Sequence, residues 1–128
     1  MKGKPYRSSL RSTFKYAVQG IIHAFKAERN MKIHIVAAVV VFMAAGLLGL
    51  TLIQWLFLGL AVTLVISAEL INTAVEAVVD LISPDDHPLA RIAKDTAAGA
   101  VLVTACFAVV VGIAVFYEPV ISWVSDIR

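Results

Sequence analysis

Two long stretches of the chain contain no Asp, Glu, Lys or Arg, and they limit the possible folds severely. The first lies between His34 and Glu69, and the second lies between Asp95 and Glu118. A helix needs about 20 apolar residues to cross the hydrocarbon core of a bilayer, so these stretches supply three crossings. Apolar residues make up 60% of the chain and charged residues 16%, a composition that disfavours a soluble domain. We therefore predict an all-α integral membrane protein.

The breaks between the apolar runs predict three transmembrane helices joined by short turns. Gly46 and Gly49 favour a tight turn at residues 46–51, and the sequence SPDDHP favours a second turn at residues 83–88. Pro119 is expected to end the third helix. The transmembrane helices are therefore predicted at residues 33–47, 52–81 and 88–117.

The N-terminal region combines positive charge with an amphipathic helical pattern. Most of the Lys and Arg residues lie at or before Lys32, so the positive-inside rule places the N-terminus in the cytoplasm. Apolar residues of this region share one side of a helical wheel. They are Leu10, Phe14, Ala17, Val18, Ile21 and Phe25. We expect a polar tail and an interfacial amphipathic helix within residues 1–30. A cap packed on the helical bundle is the alternative.

This arrangement predicts one membrane-embedded domain that covers residues 1–128. Three crossings at residues 31–118 place the turn near residues 82–88 in the cytoplasm and leave residues 119–128 as an external tail. The formal net charge of +2 is too small to indicate a nucleic-acid partner.

Polar residues on the second predicted transmembrane helix form one stripe. Glu69, Asn72, Glu76 and Asp80 span about 80° of the helix circumference and about 16 Å of its axis. Ionised carboxylates near hydrocarbon cost several kcal/mol each and persist where they line a pathway or bind a counter-charge. A functional site is therefore the main interpretation, and a structural polar seam between helices is the alternative.

The residues near this stripe favour metal and phosphate chemistry. Carboxylates without a Cys or His cluster favour a hard cation such as Mg²⁺, and Arg91 and Lys94 at the start of the third helix can bind phosphate. Together they predict phosphoryl transfer to a hydroxyl group held in lipid. The sequence contains no GxxxxGKS or GxGxxG motif, so a conventional nucleotide-binding loop is absent.

The run ELINTAVEAVVD at residues 69–80 resembles the signature of the prokaryotic diacylglycerol kinase family. The AKD triplet at residues 93–95 has the family's spacing from it, and the resemblance covers essentially the whole chain. The segment AERNMKIH at residues 27–34 is similar to the Gram-positive branch, whose members resemble undecaprenol kinases. The resemblance implies ATP- and Mg²⁺-dependent phosphorylation of a membrane alcohol. Undecaprenol is the first expectation and diacylglycerol the second.

The resemblance also implies roles for individual residues. Glu69 would be the general base that takes the proton of the lipid hydroxyl, and Glu28 and Glu76 would hold the Mg²⁺ of ATP. The other residues that the resemblance assigns to the nucleotide site are Tyr16, Asn72, Asp80, Asp85, Asp86, His87, Lys94 and Asp95.

An N-terminal arginine of the family has no direct counterpart in this chain. Alignment through Gly20 puts Ser9 at its position, which leaves Arg7 or Arg11 as a substitute. The resemblance further implies a homotrimer whose sites are shared between neighbouring subunits. It also implies a multi-pass protein of the bacterial inner membrane with its active site on the cytoplasmic side.

Two functions from other classes remain as alternatives. A small proton-coupled transporter would bind protons or cationic cargo at Glu69 and Glu76, yet the charges gather at one membrane face. A structural or assembly subunit would leave the carboxylate stripe unexplained. His34 shows no metal-ligand spacing, and we expect its side chain to be solvated or interfacial.

Overall fold

The computed structural model describes residues 9–127, and this range folds into four α-helices. They are α1 (Leu10–Ala27), α2 (Arg29–Leu47), α3 (Leu52–Ile82) and α4 (Pro88–Asp126). Within the described range, α2, α3 and α4 are long and apolar enough to cross a membrane. The predicted all-helical class with three apolar helices is therefore confirmed. Arg7 and most of the predicted polar tail lie outside the described residues.

The junction between α1 and α2 is a single non-helical residue. Glu28 has φ −97° and ψ 124°, and its backbone N–H donates to the Ala24 carbonyl at 2.9 Å. Glu28 therefore ends α1 and precedes α2 directly. As a result α2 begins at Arg29, before the predicted start at Ile33, because Arg29 and Lys32 are good helix formers although they are charged.

The turn between α2 and α3 confirms the predicted break. Gly49 has a φ of +65°, which a residue without a Cβ adopts without strain. Thr51 caps the next helix, since its Oγ1 accepts from the Gln54 N–H at 3.4 Å while Gln54 Oε1 accepts from the Thr51 N–H at 2.9 Å. This reciprocal cap explains why α3 begins at Leu52, as predicted.

The turn between α3 and α4 lies at residues 83–87, also as predicted. Ser83 Oγ donates to the Asp85 carbonyl at 3.0 Å, and His87 Nδ1 accepts from the Leu89 N–H at 3.2 Å. His87 thus caps α4, and Pro88 occupies the first helical position, where its missing N–H removes no helical hydrogen bond.

The predicted end of the third transmembrane helix is wrong. α4 continues through Pro119 to Asp126, so residues 119–126 of the predicted external tail are helical. A proline inside a helix has no N–H for the carbonyl one turn before it, which here belongs to Val115. The side-chain amide of Gln54 donates to that carbonyl at 3.3 Å. A side chain from α3 therefore satisfies the acceptor that Pro119 leaves open.

The apolar core lies near the turn between α2 and α3. Its buried residues come from three helices and that turn, and they are Ala45, Leu50, Leu58, Ala61, Val111 and Val115. The buried residues of α3 follow one another at spacings of three and four, and they are Leu58, Ala61, Val65, Glu69 and Asn72. Hence the helix face that packs into the apolar core also carries Glu69 and Asn72 inward.

We expect Gln54→Leu to lower the free energy of unfolding in detergent micelles, because it removes the donor to Val115 and the cap at Thr51. Each lost hydrogen bond should cost about 1 kcal/mol. In a Pro119→Ala background residue 119 regains an N–H, so the cost of Gln54→Leu should fall by about 1 kcal/mol. Thermal unfolding of the four proteins measures this coupling, with Gln19→Leu on exposed α1 as the control. Equal costs in both backgrounds would disprove the bridging role of Gln54.

Candidate active site

Glu69 is buried on the inner face of α3, with only 1% of its side chain exposed. His34 on α2 places its Nε2 atom 3.2 Å from Glu69 Oε1. This distance is that of an ion pair, but no described residue donates a hydrogen bond to Oε1. Buried polar atoms are normally paired. Glu69 Oε1 is therefore positioned to accept a hydrogen bond from a ligand.

Asn72 lies one turn further along α3 and is 7% exposed. Its Nδ2 atom donates to Glu76 Oε1 at 3.0 Å, while its Oδ1 atom has no donor within the described range. Thr73 Oγ1 donates to the backbone carbonyl of Glu69 at 3.0 Å and so leaves the carboxylate free. The stripe thus contains two buried acceptors that a bound molecule can satisfy.

A cleft of about 340 Å³ opens beside Glu69 and Asn72. His34 and Asn30 add polar groups to its wall, and α4 supplies small and apolar side chains. The apolar residues that line it are Ile33, Ala98, Val101, Leu102 and Ala105. Polar acceptors on one wall and apolar side chains on the other fit an amphiphilic molecule that carries a hydroxyl group.

A second group of predicted site residues meets where α3 ends and α4 begins. Lys94 Nζ forms an ion pair with Asp80, and Arg91 Nε lies 3.8 Å from Asp95 Oδ2. A cleft of about 220 Å³ brings these four together with the turn. The residues of the turn in this cleft include Asp85, Asp86 and His87, which are all exposed. The structure therefore assembles most of the predicted nucleotide-site residues in one charged cleft.

Glu28 and Glu76, the predicted metal ligands, line neither of these two clefts. Both are half-buried, and the charges of both act on the Glu69 carboxyl, so the three carboxylates share one region. Within residues 9–127, no three or more His, Cys, Asp or Glu side chains are arranged to hold a metal ion. Mg²⁺ usually takes one or two protein carboxylates and completes its shell with phosphate and water. The donor set of Glu28 and Glu76 fits that requirement.

Two predicted residues on α1 are not brought into either cleft. Tyr16 is half-buried and Arg11 is exposed, and neither contributes to the walls described above. Arg7, the other substitute for the family's N-terminal arginine, lies outside the described residues.

His34 is a site residue that the sequence alone did not reveal. The sequence predicts a solvated or interfacial side chain, whereas this side chain is only 24% exposed and contacts Glu69. A signal was present, because residues at similar distances from the turn of a helical hairpin lie at similar depths. His34 precedes the turn between α2 and α3 by about four helical turns, and Glu69 follows it by about five.

Comparison with known proteins identifies relatives of the chain. Residues 15–116 match the family model of prokaryotic diacylglycerol kinase, a range that contains every site residue named above from Tyr16 to Asp95. The chain is 40% identical over 119 residues to an undecaprenol kinase of Bacillus subtilis, which covers 91% of this chain and 97% of that protein. It is 47% identical over 111 residues to a diacylglycerol kinase of Synechocystis sp., with 86% of this chain and 63% of that protein covered. A diacylglycerol kinase of Haemophilus influenzae is 36% identical over 92 residues, which is 72% of this chain and 78% of that protein.

The burial of Glu69 predicts that the carboxylate does not stabilise the fold. A charge in an apolar site costs free energy, and Gln has almost the same shape without the charge. We therefore expect Glu69→Gln to leave the free energy of unfolding unchanged or to raise it by about 1 kcal/mol. Thermal unfolding in detergent micelles at neutral pH measures the difference. A loss of stability above about 1 kcal/mol would favour the structural polar seam instead.

Proposed function

The chain belongs to the prokaryotic diacylglycerol kinase family and is a lipid kinase, and we propose that it phosphorylates undecaprenol with ATP as donor. The observation that carries the proposal is Glu69 Oε1, a buried acceptor without a donor among the described residues, in an apolar-walled cleft. Undecaprenol has one polar group, its hydroxyl, and the cleft offers apolar side chains beyond the acceptors. The undecaprenol kinase of B. subtilis is also matched over 97% of its length.

Diacylglycerol is the second candidate substrate. The relative from Synechocystis, a diacylglycerol kinase, is the more identical of the first two at 47%. Diacylglycerol carries two ester groups beside its hydroxyl. Their carbonyl oxygens can only accept hydrogen bonds, so a site that binds them should offer donors. The described wall of the cleft offers few donors beyond Asn30 and His34. Undecaprenol has no ester carbonyls, so the small number of donors in the cleft favours undecaprenol as substrate. Because the chain belongs to a lipid kinase family, the kinase function takes the place of the transporter and the assembly subunit considered from the sequence.

The reaction transfers one phosphoryl group and one proton. The lipid O–H donates its proton to the Glu69 carboxylate while the lipid oxygen attacks the γ-phosphorus of ATP. A P–O bond to the lipid forms, the bond from the γ-phosphorus to the β,γ-bridging oxygen breaks, and ADP leaves with the electron pair. Glu69 then releases the proton to water. Glu69 suits this role because its carboxylate oxygen faces the cleft and has no other donor within residues 9–127.

The charged cleft at the end of α3 is our proposed nucleotide site. Lys94, paired with Asp80, would exchange this carboxylate for a phosphate oxygen when ATP binds. Asp85, Asp86, His87 and Asp95 line the same cleft and would complete the contacts to the nucleotide. Tyr16 would have to reach the nucleotide from outside this cleft. Glu28 and Glu76 would hold Mg²⁺, which neutralises charge on the triphosphate when it is bound. Asn72 supports this arrangement by fixing Glu76 Oε1.

We further propose that the chain lies in the bacterial inner membrane with its N-terminus and active site on the cytoplasmic side. The excess of Lys and Arg before α2 supports that orientation. Apolar residues near the start of α1 are exposed, with Leu10 82% and Phe14 74% exposed. Exposed apolar residues on a helix with basic residues opposite support an interfacial position for α1 rather than a packed cap.

A homotrimer would complete the site. The Glu69 cleft is open at the surface of the single chain, where lipid or water would otherwise reach the carboxylate. Three helices in one subunit cannot enclose a polar stripe of this length, and an apolar helix from a neighbour would cover it.

A phosphorylation assay tests the proposed function. Purified protein receives labelled ATP and Mg²⁺ with undecaprenol or diacylglycerol in mixed micelles. We expect undecaprenol to be the better substrate by about 10-fold or more in kcat/KM. Glu69→Gln should lower kcat by about 10³-fold, since a general base commonly contributes 10²- to 10⁴-fold. Glu118→Gln, in α4 beyond both clefts, is the matched control and should retain full activity.

Faster transfer to diacylglycerol would assign that lipid as the substrate instead. Transfer to neither lipid would refute the proposed function.

A further inference from the structure

We propose that His34 is a positioning residue that orients the Glu69 carboxylate toward the lipid hydroxyl. This inference rests on the proposed function, because it concerns the same general base. His34 belongs to α2, outside the polar stripe of α3 and outside the charged cleft. Its role therefore comes from the packing of α2 against α3 rather than from the family signature.

The contact between His34 and Glu69 is the first observation. His34 Nε2 lies 3.2 Å from Glu69 Oε1, and among residues 9–127 the ion pairs of Glu69 involve this imidazole alone. A general base is commonly oriented by another side chain that contacts it. Within the part of the chain that is described, His34 is the side chain placed to do this.

The surroundings of His34 are the second observation. The imidazole lines the cleft with Glu69 and also lines a narrower cavity of about 100 Å³ between α2, α3 and α4. Apart from His34, the residues that line this narrower cavity are apolar or glycine. An imidazole at such a boundary needs a polar partner on its open side. Glu69 supplies that partner, so the same contact fixes the ring and the carboxylate.

The geometry of the contact is the third observation. The imidazole lies at contact distance, but Oε1 is left without a hydrogen bond from any described residue. A carboxylate oxygen has more than one acceptor position, so Oε1 can receive the lipid hydroxyl while His34 stays beside it.

Removal of the imidazole should therefore impair the chemical step more than binding. A displacement of about 1 Å in a reacting group can lower the rate about 10²-fold. We expect His34→Phe, which keeps a ring but places no polar atom beside Oε1, to lower kcat for undecaprenol about 10- to 100-fold. The KM for ATP should change less than about 3-fold, because His34 lies outside the charged cleft. The KM for the lipid should change less than kcat, because the phenyl ring keeps the shape of the imidazole in the wall of the Glu69 cleft.

His34→Gln and His23→Leu complete the set of variants. Gln retains a polar side chain of similar reach, so His34→Gln should recover kcat to within about 5-fold of the unmodified protein. His23 is an exposed histidine on α1 and should tolerate Leu without loss of activity. A kcat for His34→Phe within about 2-fold of the unmodified protein would overturn the inference. So would a loss expressed mainly in the KM for ATP, or a His34→Gln protein no more active than His34→Phe.

A spectroscopic measurement tests the same contact without activity. The full chain has three histidines, so ¹⁵N-histidine labelling gives three sets of imidazole signals, and His34→Gln identifies one of them. Glu69→Gln should shift the His34 signals and leave those of His23 and His87 unchanged. Unchanged His34 signals in Glu69→Gln would also overturn the inference. If the unmodified protein phosphorylates neither lipid, the proposed function fails, whereas normal activity with an unimpaired His34→Phe defeats this inference alone.

Discussion

A carboxylate is held on a helix face that elsewhere packs into an apolar core. Leu58, Ala61 and Val65 anchor that face of α3 against α2 and α4 near the first turn. Because the face continues without a break, Glu69 and Asn72 must point inward as well. The helix cannot rotate to release Glu69 without exposing the apolar anchors. Burial of the proposed base is thus enforced by the packing of other residues on the same face of α3.

The site then divides by depth along α3. Glu69 meets apolar walls and one imidazole, as a lipid hydroxyl requires, while Asp80 lies about 16 Å further along the axis among exposed charges. Glu76 stands between them and is tied to Asn72. Phosphoryl transfer depends mainly on positioning and charge neutralisation. A helix whose surroundings change from apolar at Glu69 to charged at Asp80 can therefore provide the proposed site without a phosphate-binding loop.

Charge, glycine and proline patterns predicted the helices and both turns, because the ends of apolar runs are local properties of the sequence. The continuation of α4 through Pro119 was not predictable in this way, since the compensating donor is Gln54, on a different helix and far away in the sequence. The carboxylate stripe was visible because its members share one helix. His34 was missed for the opposite reason, as its contact crosses between two helices. The subunit count and the bound metal remain predictions.

The proposed site requires its glutamates to lie at different distances from the metal-bound triphosphate. The chain has four glutamates, Glu28, Glu69, Glu76 and Glu118, so carboxyl ¹³C labelling of glutamate gives four signals. Mn²⁺ bound with a non-hydrolysable ATP analogue broadens each signal according to its distance from the ion. We predict strong broadening at Glu28 and Glu76, weaker broadening at Glu69 and none at Glu118. Broadening that spares Glu76, or affects Glu118 equally, would contradict the proposed site.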